Sequence, residues 1–330
     1  MRAQPLFSVI TPVYRGEASI EALYQRVRDT LEGGITSNFE FIMVDDQSPD
    51  HAWEIIQRLA QRDARVRGIR LSRNFGQYMA LTAGLDQACG EWIVILDCDL
   101  QDVPEEIPRL YQKAREGFDI VLAQRVERRD SFFKKACSKA FYAVFSYLTG
   151  TRQDPSTAQF GIYHRKVVQT LTGMRERLRF LPAFIDWIGF QATAIPVRHA
   201  EREHGKSSYS FRRLLQLAFD TIIAFSDKPL RLTIKLGALI AVGSLLAAAV
   251  LITRALLGMP EPVGWTSLMV AVSFFSGLII LILGLNGLYI ARIFDEVKGR
   301  PLYIVQQTCA HPSLQYEQVA SGSEKSEILT

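Results

Sequence analysis

Two carboxylates, Asp97 and Asp99, follow directly on an unbroken apolar run, Trp92–Leu96. A run of that kind reads as a strand buried on both faces, so the acids emerge where the strand ends. Gln101, two residues beyond Asp99, can add a carbonyl oxygen. Two carboxylates with a substrate diphosphate are an ordinary way to hold Mg2+ or Mn2+. Taken alone, an Asp-x-Asp is better explained as a solvated loop or a helix cap. Two further strand ends shift that balance, Thr11-Pro12-Val13-Tyr14 and Asp45-Asp46. In an open parallel sheet, ligands bind beyond the carboxyl ends of the strands. Carboxylates crowded on one such edge repel each other unless a cation joins them.

The elements that must position these residues are readable from the pattern. Phe7–Thr11, Phe39–Val44, Val66–Leu71, Trp92–Leu96 and Ile120–Ala123 read as strands. Between them, Ile20–Leu31 is amphipathic, Ser48 offers an N-cap with Pro49 just inside for a helix to about Arg62, and Gln77–Cys89 is helical with Gly90 as its stop. Pro104 opens another helix, to about Glu116. Strand and helix alternate, which predicts an α/β domain with a mainly parallel sheet and helices on both faces. Phe160–Thr172 and Phe180–Ile188 read as strand and helix pieces, and Ala192–Val197 as a last strand. Glu201–Ser208 is a polar, glycine-containing loop, expected to be mobile. Tyr209–Phe225 is apolar on one face with Arg212 and Arg213 on the other, which suits a helix in a membrane interface. After Gln306 the chain is polar and without periodicity, the composition of a disordered tail.

Two late segments set the setting for the chemistry. Leu236–Thr253 is 18 residues without a charge and Val263–Ala291 is 29, against about 20 needed to cross a bilayer. They predict a membrane hairpin with spans near 232–256 and 265–290. Arg212, Arg213, Lys228, Arg231 and Lys235 precede the first span, and Arg292, Lys298 and Arg300 follow the second; the connection holds only Arg254 and Glu261. By the positive-inside rule both ends face the cytoplasm. The net charge of +4 is too small to argue for nucleic acid. Cys89, Cys98, Cys137 and Cys309 show neither metal-ligand spacing nor a disulfide framework, and no signal peptide precedes the first strand. The division expected is a catalytic domain over 1–208, an amphipathic juxtamembrane helix over 209–229, two spans within 230–292, and a largely disordered cytoplasmic tail over 293–330. A soluble enzyme held against a membrane suggests a water-soluble donor and a lipid acceptor.

Several blocks resemble the family 2 glycosyltransferases that make polyprenyl-phosphate sugars, a group that includes dolichol-phosphate mannosyltransferases and bacterial undecaprenyl-phosphate glycosyltransferases. Asp97-Cys98-Asp99-Leu100-Gln101-Asp102-Val103-Pro104 is similar to their Asp-x-Asp-Leu-Gln-Asp-x-Pro, and Val44-Asp45-Asp46-Gln47-Ser48-Pro49-Asp50 to their Val-Asp-Asp-Gly-Ser-x-Asp. Ser72-Arg73-Asn74-Phe75-Gly76-Gln77 matches an Arg-Asn-x-Gly segment, and Arg202-Glu203-His204-Gly205-Lys206-Ser207-Ser208-Tyr209 is similar to Arg-x-x-Gly-x-Ser-Lys-Tyr. The resemblance runs from about Phe7 to Arg300. The chain departs from it at three places. Arg15-Gly16-Glu17 stands where Asn-Glu is usual, so only Glu17 carries over; Gln47 replaces Gly; and Ser208 replaces Lys, with Lys206 as a neighbouring substitute.

The resemblance implies a GT-A (Rossmann-like) fold and an inverting transfer of sugar from a UDP- or GDP-sugar to a polyprenyl phosphate. It places the enzyme at a bacterial inner membrane, in cell-envelope glycan modification of the lipopolysaccharide or O-antigen kind. Pro12, Tyr14, Glu17, Asp46 and Asp97 would bind the nucleotide, and Asp97, Asp99 and Gln101 would handle Mg2+ or Mn2+ with the donor diphosphate. Arg202 would close over that diphosphate, and Asp99 would act at the reaction centre. Arg125, with Arg129, Lys134 and Lys135, would meet the lipid phosphate; the same basic run can equally face anionic lipid heads. Asp154 lies where some relatives place a carboxylate near the reacting carbon, and a turn residue beside Pro155 is an equal reading. Homo-oligomer formation is left open. Two other functions stand beside this one: a processive polysaccharide synthase, whose Gln-x-x-Arg-Trp motif is absent here, and a non-catalytic membrane scaffold that keeps a nucleotide-binding fold.

Overall fold

The computed structural model describes residues 4–125, 157–198, 226, 228–257 and 264–312. They fall into two compact units, one with the sheet, its helices and the segment from Arg300, the other with the two long helices before it.

The first unit contains β1 (Phe7–Val13), β2 (Phe39–Asp45), β3 (Val66–Leu71), β4 (Trp92–Ile95), β5 (Ile120–Arg125), β6 (Thr157–His164), β7 (Ala192–Val197) and β8 (Val305–Ala310). They make one sheet in the order β7-β5-β6-β4-β1-β2-β3-β8. Every residue of β1, β2 and β4 is buried, as continuous apolar strands covered on both faces require. Among the polar residues of these strands, Ser8 and Glu40 are partnered, whereas Thr11 Oγ1 has no hydrogen-bond partner among the described residues. Ser8 Oγ donates to Glu40 at 2.5 Å, and Glu40 also accepts the Cys89 N–H at 2.7 Å.

The helices α1 (Ile20–Gly34), α2 (Ala52–Arg62), α3 (Gln77–Gln87) and α4 (Ile107–Ala114) connect these strands, and α5 (Arg165–Gly173) and α6 (Leu181–Ile188) follow β6. α1 buries Ile20, Leu23, Tyr24, Val27 and Leu31, the helical stripe its sequence predicts. α1 packs on α2 and α4, while α3 packs on β1, β2 and α5. α2 begins at Ala52, not at Ser48. The Ser48 hydroxyl is used differently: it donates to Asp50 Oδ1 and accepts the Arg15 N–H, both at 2.6 Å.

β2 pairs with β1 and β3, and β4 pairs with the other side of β1, all in parallel. The strand order therefore reverses at β1, and the crevice between β1 and β4 is the topological switch point where such sheets bind ligands. β6 runs antiparallel to β4 and to β5. Its first residues consequently lie at the edge where β4 and β5 end.

The stretch after residue 293, read as a largely disordered tail, holds β8, which pairs antiparallel with β3. Ala192–Val197 is thus not the last strand. The segment Val305–Ala310 has no apolar alternation; pairing with an existing edge orders it. Trp53 Nε1 donates to Gln307 Oε1 at 3.1 Å. Cys309 fills a notch over Gly68, where a Cβ would lie 2.4 Å from its sulfur.

The second unit contains α7 (Lys228–Leu256) and α8 (Trp265–Val297). Tyr289 OH, late in α8, donates to the carbonyl of Ser226, just before α7, at 2.8 Å. Among the described residues one stretch, Val270–Val297, is long and apolar enough to cross a membrane, with a mean hydropathy of 2.1. One of the two expected spans is matched by this candidate helix. The expected juxtamembrane helix lies outside the described residues.

Candidate active site

β4 delivers Asp97 and Asp99 to the switch-point edge through a turn that the chain itself clamps. The Asp97 N–H donates to Asp102 Oδ2 at 3.1 Å, and the Gln101 N–H donates back to Asp99 Oδ1 at 3.2 Å. Between them Leu100 sits at φ 61° and buries its side chain. Arg15, after β1, and Gln47, after β2, have φ 57° and 55°. Such a conformation costs a non-glycine residue on the order of 1 kcal/mol, and it concentrates at functional sites. Among the described residues, these three carry it, all beyond the carboxyl ends of β1, β2 and β4. Gln47 therefore keeps the left-handed turn that a glycine would take without strain.

The loops after β1 and β2 are joined. The Glu17 N–H donates to Asp50 Oδ2 at 3.0 Å, and Glu17 Oε2 accepts the His51 N–H at 3.2 Å. Pro12 is buried below this junction, and Tyr14 projects from it, 46% exposed. The Tyr14 ring lies 5.6 Å from the Arg15 guanidinium.

Asp46 organises the next loop. Its Oδ1 accepts the Phe75 N–H at 2.7 Å and its Oδ2 the Gly76 N–H at 2.8 Å. Gly76, at φ 96°, turns the chain into α3. Burial raises the Asp46 carboxyl, and the two N–H bonds oppose that shift. Its neighbour Asp45 is fully buried, and desolvation pushes its carboxyl up to about 6. The Ser48 N–H at 3.0 Å and Arg70, with Nε 3.1 Å from Asp45 Oδ2, pull the other way.

Gln77, the first residue of α3, completes the connection. Its Nε2 donates to Asp97 Oδ1 at 2.7 Å and to Gln159 Oε1 at 3.1 Å. β2, α3, β4 and β6 are thereby linked through polar side chains at one edge. Cys98, between the two acids, is a packing residue: burial pushes its thiol up to about 12, which leaves no thiolate for chemistry.

The structure brings Asp97, Asp99 and Gln101 together, and joins Asp46 to them through the loop before α3. Pro12, Tyr14 and Glu17 border the same crevice from β1. Arg125 is the last residue of β5, on the same sheet edge. Arg129, Lys134, Lys135, Asp154 and Arg202 lie outside the described residues. No group of three His, Cys, Asp or Glu able to hold a metal occurs among the described residues. The two acids with a glutamine form an oxygen-only set, which fits a hard divalent cation that draws further ligands from substrate phosphates. Sequence reading assigned no role to Asp102, Gln77 or Gln159. The first two stand inside blocks that had been singled out; Gln159 has no local signal, because only the antiparallel insertion of β6 brings it to Asp97.

A mainly parallel sheet with acids at its switch point is the frame in which α/β proteins bind ligands. Residues 8–170 match the family described as Glycosyl transferase family 2. The uncharacterized glycosyltransferase YkcC of Bacillus subtilis (strain 168) is 38% identical over 303 residues, 92% of this chain and 94% of that protein. The undecaprenyl-phosphate 4-deoxy-4-formamido-L-arabinose transferase of Salmonella choleraesuis (strain SC-B67) is also 38% identical over 303 residues, 91% of this chain and 92% of its own. Among solved structures, the mannosyltransferase PcManGT of Pyrobaculum calidifontis, in complex with GDP-Man and Mn2+, is 18% identical, with a TM-score of 0.44 over 87% of this chain and 88% of that one. The chain belongs to glycosyltransferase family 2. It is a glycosyltransferase, and its mainly parallel sheet with helices is GT-A-like.

Proposed function

We propose that the enzyme transfers a sugar from a UDP- or GDP-sugar to a polyprenyl phosphate, specifically undecaprenyl phosphate, with inversion at the anomeric carbon. The carrying observation is the Asp97–Asp99 pair clamped at the β1/β4 switch point. The similarity to a named undecaprenyl-phosphate transferase over nine-tenths of both chains supports the acceptor. The apolar helix Val270–Val297 supports a membrane site. The reading places residues 1–208 in the cytoplasm as the catalytic domain, followed by the juxtamembrane helix over 209–229 and two spans within 230–292 of a bacterial inner membrane.

On this reading Asp97 and Asp99, with Gln101 beside them, would hold Mg2+ or Mn2+, which would supply positive charge toward the donor diphosphate. Pro12, Tyr14, Glu17 and Asp46 shape the nucleotide pocket. Arg202 grips the diphosphate with its planar fork, and Arg125, Arg129, Lys134 and Lys135 draw in the lipid phosphate. Asp154 stands near the reacting carbon. An oxygen of the lipid phosphate attacks the anomeric carbon, and the bond to the nucleoside diphosphate breaks on the opposite face with its electron pair. The lipid phosphate is anionic near neutral pH, so positioning and charge stabilisation carry the catalysis. Membranes holding the enzyme, incubated with a panel of labelled sugar nucleotides and undecaprenyl phosphate, should yield one lipid-phosphate-linked sugar in a metal-dependent reaction. Full transfer in EDTA, or no transfer from any donor, would overturn this function; a growing polymer would favour a processive synthase.

A further inference from the structure

Gln77 and Gln159 form an amide pair whose direction is set by Asp97. A carboxylate accepts hydrogen bonds and repels a carbonyl oxygen, so the end of Gln77 facing Asp97 must be its NH2 group. That nitrogen has two hydrogens. One serves Asp97 Oδ1 at 2.7 Å, the other Gln159 Oε1 at 3.1 Å. Gln159 then has its oxygen turned toward Gln77 and its nitrogen turned away. This Nε2 is buried and has no hydrogen-bond partner among the described residues. A buried amide nitrogen without a partner is costly to the fold. The pair thus begins at an acid of the site and ends in a donor with no acceptor among the described residues.

We propose that Gln77 is a positioning residue for Asp97, and that Gln159 Nε2 donates to a diphosphate oxygen of the nucleotide substrate. This inference rests on the nucleotide-and-metal reading of the site. Two observations favour a phosphate oxygen. The unpaired end has only hydrogens to offer, which suits an anionic acceptor bringing no proton of its own. It also lies one amide away from Asp97, whose cation would bring the diphosphate to this edge. Gln77 fixes one oxygen of Asp97 from the side of α3, as outer-shell partners of metal ligands do. Loss of such a partner costs about 10–100-fold in metal affinity.

The test uses the full chain purified in detergent micelles, with Mn2+ binding followed by loss of the free-ion EPR signal. UDP and GDP are then titrated separately in the presence of Mn2+. Gln77→Leu should weaken Mn2+ about tenfold or more. Gln159→Leu should leave Mn2+ within about threefold and weaken the preferred nucleotide about tenfold, the scale of one lost hydrogen bond to a charged group. Gln159→Glu, which turns the open end into an acceptor, should weaken that nucleotide further. Thermal melting of each variant checks the fold, and Gln77→Glu and Gln159→Asn replace any leucine variant that fails it. Unchanged Mn2+ binding in folded Gln77 variants overturns the positioning role. Unchanged nucleotide affinity in folded Gln159 variants overturns the diphosphate contact. Asp99→Asn separates these results from failure of the parent reading. If Asp99→Asn also binds Mn2+ like the wild type, or if neither UDP nor GDP binds the wild type, the site itself is misassigned.

Discussion

Asp97 and Asp99 occupy a turn closed by the Asp97 N–H to Asp102 and by the Gln101 N–H to Asp99 Oδ1, and an asparagine keeps both the N–H and a carbonyl acceptor. Asp97→Asn should therefore fold and insert while transfer falls by at least about a hundredfold, as expected when electrostatic stabilisation of a leaving group is lost. Kinetics on both Asn variants, with melting curves alongside, check this. Asp45 allows a different test. Its folded-state carboxyl near 6 lies above the ordinary 3.8, so the folded protein binds more protons than the unfolded chain between those values. The contribution of Asp45 to stability should fall as pH rises from about 4 to about 6, and stay level above that. Arg70→Met removes the partner 3.1 Å from this buried group and should destabilise the protein by about 3 kcal/mol at neutral pH. The loss should shrink on acidification as Asp45 protonates. Melting temperatures of both proteins from pH 4 to 8 measure it. These acids were readable in advance because an apolar strand ending in carboxylates is a local pattern. Gln159 was not, because its partners Gln77 and Asp97 lie far away in sequence and meet it only through the pairing of β4 with β6.

Among the elements, those with their own burial pattern were the legible ones. β4 announces itself by continuous apolar residues, β1 and β2 by mostly apolar runs, and α1 by its stripe. β8 does neither, since its side chains are mostly exposed and its order comes from the edge it joins. Nor did Ser48 reveal its use, because an N-cap and a loop cross-link ask for the same hydroxyl. The β3–β8 contact leads to an expectation of its own. Gly68→Ala would drive a methyl to 2.4 Å from Cys309 Sγ and 2.5 Å from Ile56, an overpacking that costs about 1–3 kcal/mol. Gly68→Ala with Cys309→Ala should recover part of that loss. A double-mutant cycle on thermal stability gives the coupling, and additive effects would mean that the two residues do not meet.

For the whole molecule, the charge asymmetry around the apolar segments supports the proposed topology. Lys and Arg flank the pair, and the connection holds only Arg254 and Glu261. Cysteine labelling from outside intact cells should modify Gly258→Cys and spare Ser321→Cys. Labelling at 321 alone would reverse the orientation, and with it the proposed cytoplasmic placement of the active site.

The pairing of β8 with β3 also has a consequence for biosynthesis. β3 leaves the ribosome early, yet its partner at Val305–Ala310 follows only after both long helices have been made. At about 5–20 residues per second, the nascent domain holds an unpaired strand edge for roughly ten seconds to a minute. Throughout that time the edge is open to any extended segment nearby, including the same edge on a neighbouring nascent chain. A ribosome stalled before residue 305 would leave a chain with its acids in place and its sheet still unsealed.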